Sequence, residues 1–245
     1  MHWSGHTGPV TTTADNPAGR SRELSDLGPI AQLRAGRLGR RLLQLYAGLV
    51  AYGVSLALMV RGDLGLAPWD VLHSGLIRHV PLTLGQAVVV MSFVVLVLWI
   101  PLREKPGLGT ISNAVVVGFA ADATLALLDR PDAMVLRVAL MVGGVVLCGL
   151  ATAMYIGAQL GRGPRDGLMT GIARRSGRSL RLVRTGIEVA VVVVGLLLGG
   201  TLGLGTVLYA FAIGPLTQLW LPAWTVGLNG VDRLDGIDAP PGRCD

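Results

Sequence analysis

The sequence predicts an all-α fold: a polytopic membrane helix bundle of about six transmembrane helices in two inverted three-helix repeats. Apolar residues make up 51% of the chain of 245 residues, and the mean hydropathy is +0.59. Nearly uncharged apolar runs of about 18 or more residues recur, and a run of that length can cross a bilayer as a helix. One short motif also occurs twice. These three observations together predict a duplicated membrane domain.

The duplicated motif reads LGLAPWDVLHSG at residues 64–75 and LGRGPRDGLMTG at residues 160–171. The same offset of 96 positions, held without a gap, maps residues 107–110 onto residues 203–206, and both of these segments read GLGT. About 18 identities over about 66 positions indicate a true internal repeat rather than a shared apolar composition.

Composition divides the chain into a membrane domain between two tails. Residues 1–33 are rich in Gly, Pro, Thr and Ser and lack an apolar period, so we expect a disordered cytoplasmic tail there. We assign residues 34–222 to the membrane domain, with repeat one at about 42–128 and repeat two at about 134–221, and residues 223–245 to a polar C-terminal tail. The predicted spans are about Leu42–Val60, Leu84–Leu102, Leu108–Leu128, Met134–Ile156, Leu180–Gly199 and Leu204–Leu221.

The distribution of Arg and Lys predicts the orientation. These residues are concentrated in connections that would share one side of the membrane, which places both termini in the cytoplasm by the positive-inside rule. Because three spans per repeat is an odd number, the second copy would enter the membrane from the opposite side. The motif of Asp70 would then lie on the outer side and that of Asp166 on the inner side.

Each motif copy predicts a short helix, at about Pro68–His79 and about Pro164–Arg175. Proline fits the first helical position, and Gly65 and Gly161 just before it allow a tight approach of backbone. Such a helix is too short to span. It is either re-entrant or interfacial, and we favour a re-entrant helix for the first copy.

The acidic residues of the motif are the first candidates for a functional site. Asp70 and Asp166 each follow a proline by two positions, where a carboxylate can cap the free N–H groups of the helix. The alternative is that each helps to bind a cation, a proton or a polar solute. Both roles are compatible with the sequence.

Polar residues inside predicted spans are further candidates for a solute or ion pathway. Glu188 lies one helical turn after Arg184, so the two can form an ion pair that is either functional or structural. Asp122 could line the pathway or cap a helix near an interface. Asn113 is a candidate solute ligand, and a hydrogen bond between helices is its alternative role.

The two GLGT segments are predicted to open helices and to be structural. Gly109 and Gly205 would permit the preceding turn, and Thr110 and Thr206 would serve as N-caps.

Several classes of function are disfavoured. The net charge of +6 comes from basic residues beside apolar runs, so we expect no nucleic-acid partner. The two cysteines, Cys148 and Cys244, offer no metal cluster, and we predict no metal and no other cofactor. The sequence contains no P-loop, Gly-x-Ser-x-Gly or Cys-x-x-Cys motif, so we predict that the protein is not an enzyme.

The double motif, the two GLGT segments and the pair Arg184 and Glu188 resemble the YczE-like branch of the YczE/YyaS/YitT family of bacterial integral membrane proteins. The resemblance covers about Leu42–Leu221 and implies a multi-pass protein of the bacterial inner membrane. It implies no substrate.

Two functions remain open from the sequence. The first is a secondary transporter of a small solute, built from inverted repeats, in which a carboxylate could couple transport to protons. The second is a non-transporting membrane scaffold or regulator of a partner protein. The expected partners are the lipid bilayer and a small solute or proton, and the sequence is compatible with a homo-oligomer.

Overall fold

The structure is a computed structural model that describes residues 28–228. Within this range the chain forms α-helices and contains no β-strand. The helices are α1 (Pro29–Arg34), α2 (Leu38–Gly62), α3 (Pro68–Leu76), α4 (Leu84–Leu102), α5 (Leu108–Leu127), α6 (Met134–Gly157), α7 (Pro164–Ser176), α8 (Leu180–Leu197) and α9 (Leu204–Trp224).

Of the helices in residues 28–228, five are long and apolar enough to cross a membrane, judged by length and composition. They are α2, α4, α5, α6 and α9. The remaining predicted span is α8, which carries Arg181, Arg184 and Glu188 within its 18 residues. The all-helical membrane fold is confirmed, while the count of six spans and the inverted arrangement stay predictions.

The helices α2 and α6 pack most closely, because glycines let their backbones approach. A Cβ added at Gly48 of α2 would lie 3.0 Å from the backbone nitrogen of Tyr155. A Cβ added at Gly144 of α6 would lie 3.2 Å from the backbone nitrogen of Met59. Gly48 and Gly144, like Met59 and Tyr155, are related by the sequence offset, so the contact is reciprocal.

The remaining helices are arranged around this pair. Helix α5 packs on α2, and its counterpart α9 packs on α6. The two motif helices instead pack on a long helix of the other half: α3 contacts α8, and α7 contacts α4. The halves are therefore interleaved rather than side by side.

The motif turns form because glycine precedes proline at a fixed distance. Gly65 has φ +127° and Gly161 has φ +130°, values that glycine adopts without strain. Pro68 and Pro164 then occupy the first positions of α3 and α7, as predicted. Helix α3 ends at Leu76, three residues before the predicted end, and α7 extends to Ser176.

Each turn is attached to the first turn of a helix from the other half. The N–H of Gly205 donates to the carbonyl of Leu64 at 2.8 Å, and the N–H of Gly109 donates to the carbonyl of Leu160 at 2.7 Å. These two bonds are equivalents under the repeat. Gly109 and Gly205, which were predicted to permit the preceding turns, thus donate hydrogen bonds that join the halves.

A second reciprocal pair caps the central helices. Arg41 Nε donates to the carbonyl of Ala158 at 2.8 Å, and Arg137 Nε donates to the carbonyl of Gly62 at 3.0 Å. Each arginine also reaches the next carbonyl with Nη2, in both cases at 2.6 Å. Arg137 is the counterpart of Arg41 under the repeat offset, so the same arrangement stabilises the C-terminal ends of both α2 and α6, with Arg41 buried and Arg137 partly exposed.

The ends of the membrane domain differ from the predicted tails. Helix α1 occupies residues that the composition assigned to a disordered segment, because Pro29 can begin a helix and its first turn lies against the bundle through Gln32 and Arg41. After α9, Val226 is only 2% exposed and its carbonyl accepts from Gln159. The rest of both predicted tails, residues 1–27 and 229–245, lies outside the described residues.

Candidate functional site

A polar cavity of about 260 Å³ lies where the two motif helices begin. Its wall is built by α2, α3, α6, α7, α8 and α9. The polar side chains that line it are Tyr52, Thr152, Tyr155, Arg165, Asp166, Arg184, Glu188, Tyr209, Thr217 and Gln218, together with the indole of Trp69. Three of the sequence-predicted pathway residues, Asp166, Arg184 and Glu188, are therefore brought together.

The two motif helices meet at their N-terminal ends. The guanidinium of Arg165 lies over the ring of Trp69, with 5.0 Å between the guanidinium carbon and the ring centroid. Trp69 and Arg165 occupy the same position of the two motif copies, directly after Pro68 and Pro164. This cation–π contact joins the two repeats at the cavity.

The two motif aspartates have different partners. The Tyr155 hydroxyl donates to Asp166 Oδ2 at 2.5 Å. Asp70 is 5% exposed, and its Oδ1 lies 3.0 Å from Nδ1 of the fully buried His73. Asp70 is therefore not part of the cavity lining, and its carboxylate contacts a histidine of its own helix.

Arg184 and Glu188 form the predicted ion pair. Arg184 Nε lies 2.9 Å from Glu188 Oε1, and the two side chains are 49% and 28% exposed. Both line the cavity from α8. Each charge therefore has a partner of opposite sign, which lowers the cost of placing both on a helix that is otherwise mainly apolar.

The structure does not place Asp122 in the cavity. Its Oδ1 accepts from the N–H of Gly85 at 2.8 Å, and its Oδ2 accepts from the hydroxyl of Thr83. The residue therefore caps the start of α4, which was the predicted alternative. Asn113 is near the second motif, where its Nδ2 would lie 3.7 Å from a Cβ added at Gly163, but it is not among the cavity-lining residues.

The threonines of the GLGT segments are one turn inside their helices rather than at the N-cap. Gly107 and Gly203 take the N-cap positions of α5 and α9. The hydroxyl of Thr110 accepts from the N–H of Gly107 at 3.1 Å, and Thr206 accepts from Gly203 at 3.4 Å. Each threonine thus stabilises its helix start from the third position.

The aromatic part of the site was not predicted from the sequence. Three of the four tyrosines in the chain line this cavity: Tyr52, Tyr155 and Tyr209. The equivalence of Trp69 and Arg165 was available from the repeat alignment, but their contact depends on the meeting of two distant helices. Within residues 28–228 no three His, Cys, Asp or Glu side chains are grouped as metal ligands.

Comparison with known proteins decides the family. A family described as a family of unknown function, DUF6198, matches residues 39–222. The chain belongs to this family. The match extends from the start of α2 almost to the end of α9, so the family comprises the whole helical bundle.

The relatives agree with this assignment. An uncharacterized protein of Haemophilus influenzae is 39% identical over 169 residues, which are 69% of this chain and 78% of that protein. The uncharacterized membrane protein YczE of Bacillus subtilis is 33% identical over 180 residues, 72% of this chain and 83% of YczE. The uncharacterized protein YyaS of the same organism is 27% identical over 179 residues, 71% of this chain and 89% of YyaS.

The predicted resemblance to YczE-like proteins is confirmed by these matches. No solved structure matches the chain. The names of these three relatives state no substrate, so a function has to be argued from the geometry of the site.

Proposed function

We propose that this protein is a secondary transporter of a small solute, which binds in the cavity at the meeting point of α3 and α7. The observation that carries the proposal is the contact of Trp69 with Arg165, because it brings the starts of two short helices together among long apolar helices. Carriers built from inverted repeats place their sites at such broken helices.

In this proposal α3 and α7 are re-entrant half-helices, and α8 is the sixth span of a bacterial inner-membrane protein with both termini in the cytoplasm. The reciprocal contacts between the halves support a pseudo-two-fold axis that relates one half to the other. Asp166 and Glu188 are the carboxylates available for proton coupling, because both line the cavity. No catalytic step is proposed.

Uptake into proteoliposomes tests the proposal. A panel of radiolabelled amino acids, short carboxylic acids and amines is offered to the wild-type protein and to Asp166→Asn. The matched control is Asp132→Asn, which makes the same change at an exposed position between the repeats. We expect accumulation of at least one solute by the wild type and the control, and strongly reduced accumulation by Asp166→Asn.

The competing function is a non-transporting scaffold. A folded wild-type protein that accumulates nothing from the panel, but co-purifies with a partner from its native membrane, would contradict the transporter and support the scaffold.

A further inference from the structure

The charges of the cavity are unevenly satisfied. Arg184 is paired with Glu188 at 2.9 Å, and Asp166 accepts the hydroxyl of Tyr155. Arg165 takes part in none of the ion pairs of the described residues. Its recorded partner is the ring face of Trp69. The cavity thus contains a guanidinium whose N–H groups lack an anionic acceptor.

A second donor without an acceptor belongs to Trp69, a residue that also lines the cavity. Trp69 is 7% exposed, and its indole Nε1 is buried without a hydrogen-bond partner. Buried polar groups of native proteins are almost always paired, so such a donor needs a ligand or an ordered water. Trp69 lines the cavity together with Arg165. Both of these groups are donors, whereas Glu188 is paired with Arg184 and Asp166 accepts a hydrogen bond from Tyr155.

The N-terminal ends of two helices also favour an anionic ligand. First-turn residues of both motif helices line the cavity, Pro68 and Trp69 from α3 and Arg165 from α7, and the N-terminal end of a helix attracts negative charge. A guanidinium presents a planar set of donors that matches a carboxylate. We infer that the transported solute carries an anionic carboxylate group that binds the Arg165 guanidinium beside the indole of Trp69. This inference rests on the proposed function and names its class of solute.

The aromatic lining does not favour the opposite charge. Trp69 and three tyrosines could enclose an organic cation, but the face of Trp69 is already covered by Arg165. A cationic ligand would also lie beside Arg165, whose charge is in none of the ion pairs of the described residues, whereas Arg184 is paired with Glu188. Like charges so placed repel, and the open donors of Arg165 and Trp69 would stay unsatisfied.

Three probes of equal chain length separate the alternatives: propionate, propylammonium and propanol. Each is titrated into the wild-type protein in lipid nanodiscs at one ionic strength and one chloride concentration, and the midpoint of thermal unfolding is followed. Because a ligand that binds the folded state raises this midpoint, we expect an increase with propionate and none with the other two.

Substitution of Arg165 tests the residue itself. We expect Arg165→Gln to weaken the apparent affinity for propionate by at least about tenfold, since a charge-assisted hydrogen bond is lost. Arg165→Lys keeps the charge without the planar fork, so it should bind propionate at an intermediate affinity. The control Arg178→Gln, at an exposed position after α7, should bind propionate like the wild type.

Two results would overturn the inference. One is an unfolding midpoint of the wild type that propylammonium or propanol raises as much as propionate does, or more, or that none of the three probes raises. The other is unchanged binding of propionate by folded Arg165→Gln. Binding of propionate without uptake of any solute would instead refute the transporter and leave the anion site standing, so the two failures are distinguishable.

Discussion

The α4–α5 crossing of the first half and the α8–α9 pair of the second half occupy equivalent positions of the repeat but pack in opposite ways. Helix α4 packs closely on α5, whereas the described helices α8 and α9 make little contact. Gly85 and Gly118 meet backbone to backbone, so that a Cβ on either would collide with the carbonyl of the other. The equivalents are Arg181 and Gly214, and a Cβ at Gly214 would meet no atom within 4 Å.

The side chains near these glycine positions also differ between the packed α4–α5 crossing and the open α8–α9 pair. Asp122 caps α4 and so ties α5 to it, whereas its counterpart Gln218 faces the cavity. Ser92 of α4 is 6% exposed in the packed crossing. Its counterpart on α8 is Glu188, which lines the cavity.

The same duplicated unit therefore forms a packed crossing in one half and an open one in the other, and the side chains at equivalent positions differ between them. The first crossing closes where Gly85 meets Gly118 and where Asp122 caps α4. In the second half Arg181 replaces Gly85 and Glu188 replaces Ser92, and the two helices stay apart.

The largest expected effect comes from exchanging side chains between the crossings. Ser92→Glu places a carboxylate without a partner in the packed crossing, which we expect to cost about 3–5 kcal/mol of unfolding free energy. Glu188→Ser removes a partly exposed ion pair and should cost about 1 kcal/mol or less. Thermal unfolding of both variants in one detergent measures the difference. Equal losses would mean that the two crossings are not distinguished by burial.

The next effect is steric. Gly118→Ala forces a methyl group against the Gly85 carbonyl and the Val89 side chain, and we expect a loss of about 1–3 kcal/mol. The matched change Gly214→Ala meets open space and should be neutral, or stabilising by up to about 1 kcal/mol. Unfolding midpoints of the two variants provide the measurement. A larger loss of stability in Gly214→Ala than in Gly118→Ala would contradict the assignment of a closed first crossing and an open second one.

A smaller effect is expected at the cap. Asp122→Ala leaves the Gly85 N–H and the Thr83 hydroxyl without their acceptor, at a cost of about 1 kcal/mol, as for other lost helix caps. Gln218→Ala, at the equivalent exposed position, should stay within about 0.5 kcal/mol of the wild type. The same unfolding assay applies. An unchanged Asp122→Ala protein would show that the cap does not hold the crossing closed.

Single-cysteine substitutions should change stability least. Their extent of labelling by a maleimide reports how accessible each position is. In a background of Cys148→Ser and Cys244→Ser, Thr217→Cys lines the cavity and should react with a water-soluble maleimide. Ala121→Cys, its counterpart at a position that is 0% exposed, should react only after denaturation. Mass spectrometry measures both extents. Labelling of the two at equal rates would show that the crossings do not differ in access.

Sequence reasoning was most successful where a property is local. The starts of α3 and α7 follow from Gly65, Pro68 and their copies, because φ preferences and the missing proline N–H act within a few residues. The family was also accessible, since the motif residues that carry the resemblance are contiguous in the chain. The arginine pair Arg41 and Arg137 could have been found, because the two share the repeat offset.

The candidate site was only partly accessible from the sequence. Asp166, Arg184 and Glu188 were predicted to share a pathway, and the structure places them in one cavity. Asp122 was grouped with them because an ionisable residue within a predicted span is a candidate for a functional site. Its capping of α4 depends on Thr83 and Gly85, which lie 39 and 37 positions away in the sequence.

The duplicated helical membrane domain can be predicted without a structure, because hydropathy over a helix length and a repeated motif are properties of contiguous residues. The packing of α3 on α8 and of α7 on α4, the contact of Trp69 with Arg165, and the closed and open crossings are visible only in the folded structure. Such outcomes depend on which surfaces of distant helices fit together. Hydropathy reports that a helix prefers lipid or protein to water, but it does not specify which neighbour covers each face.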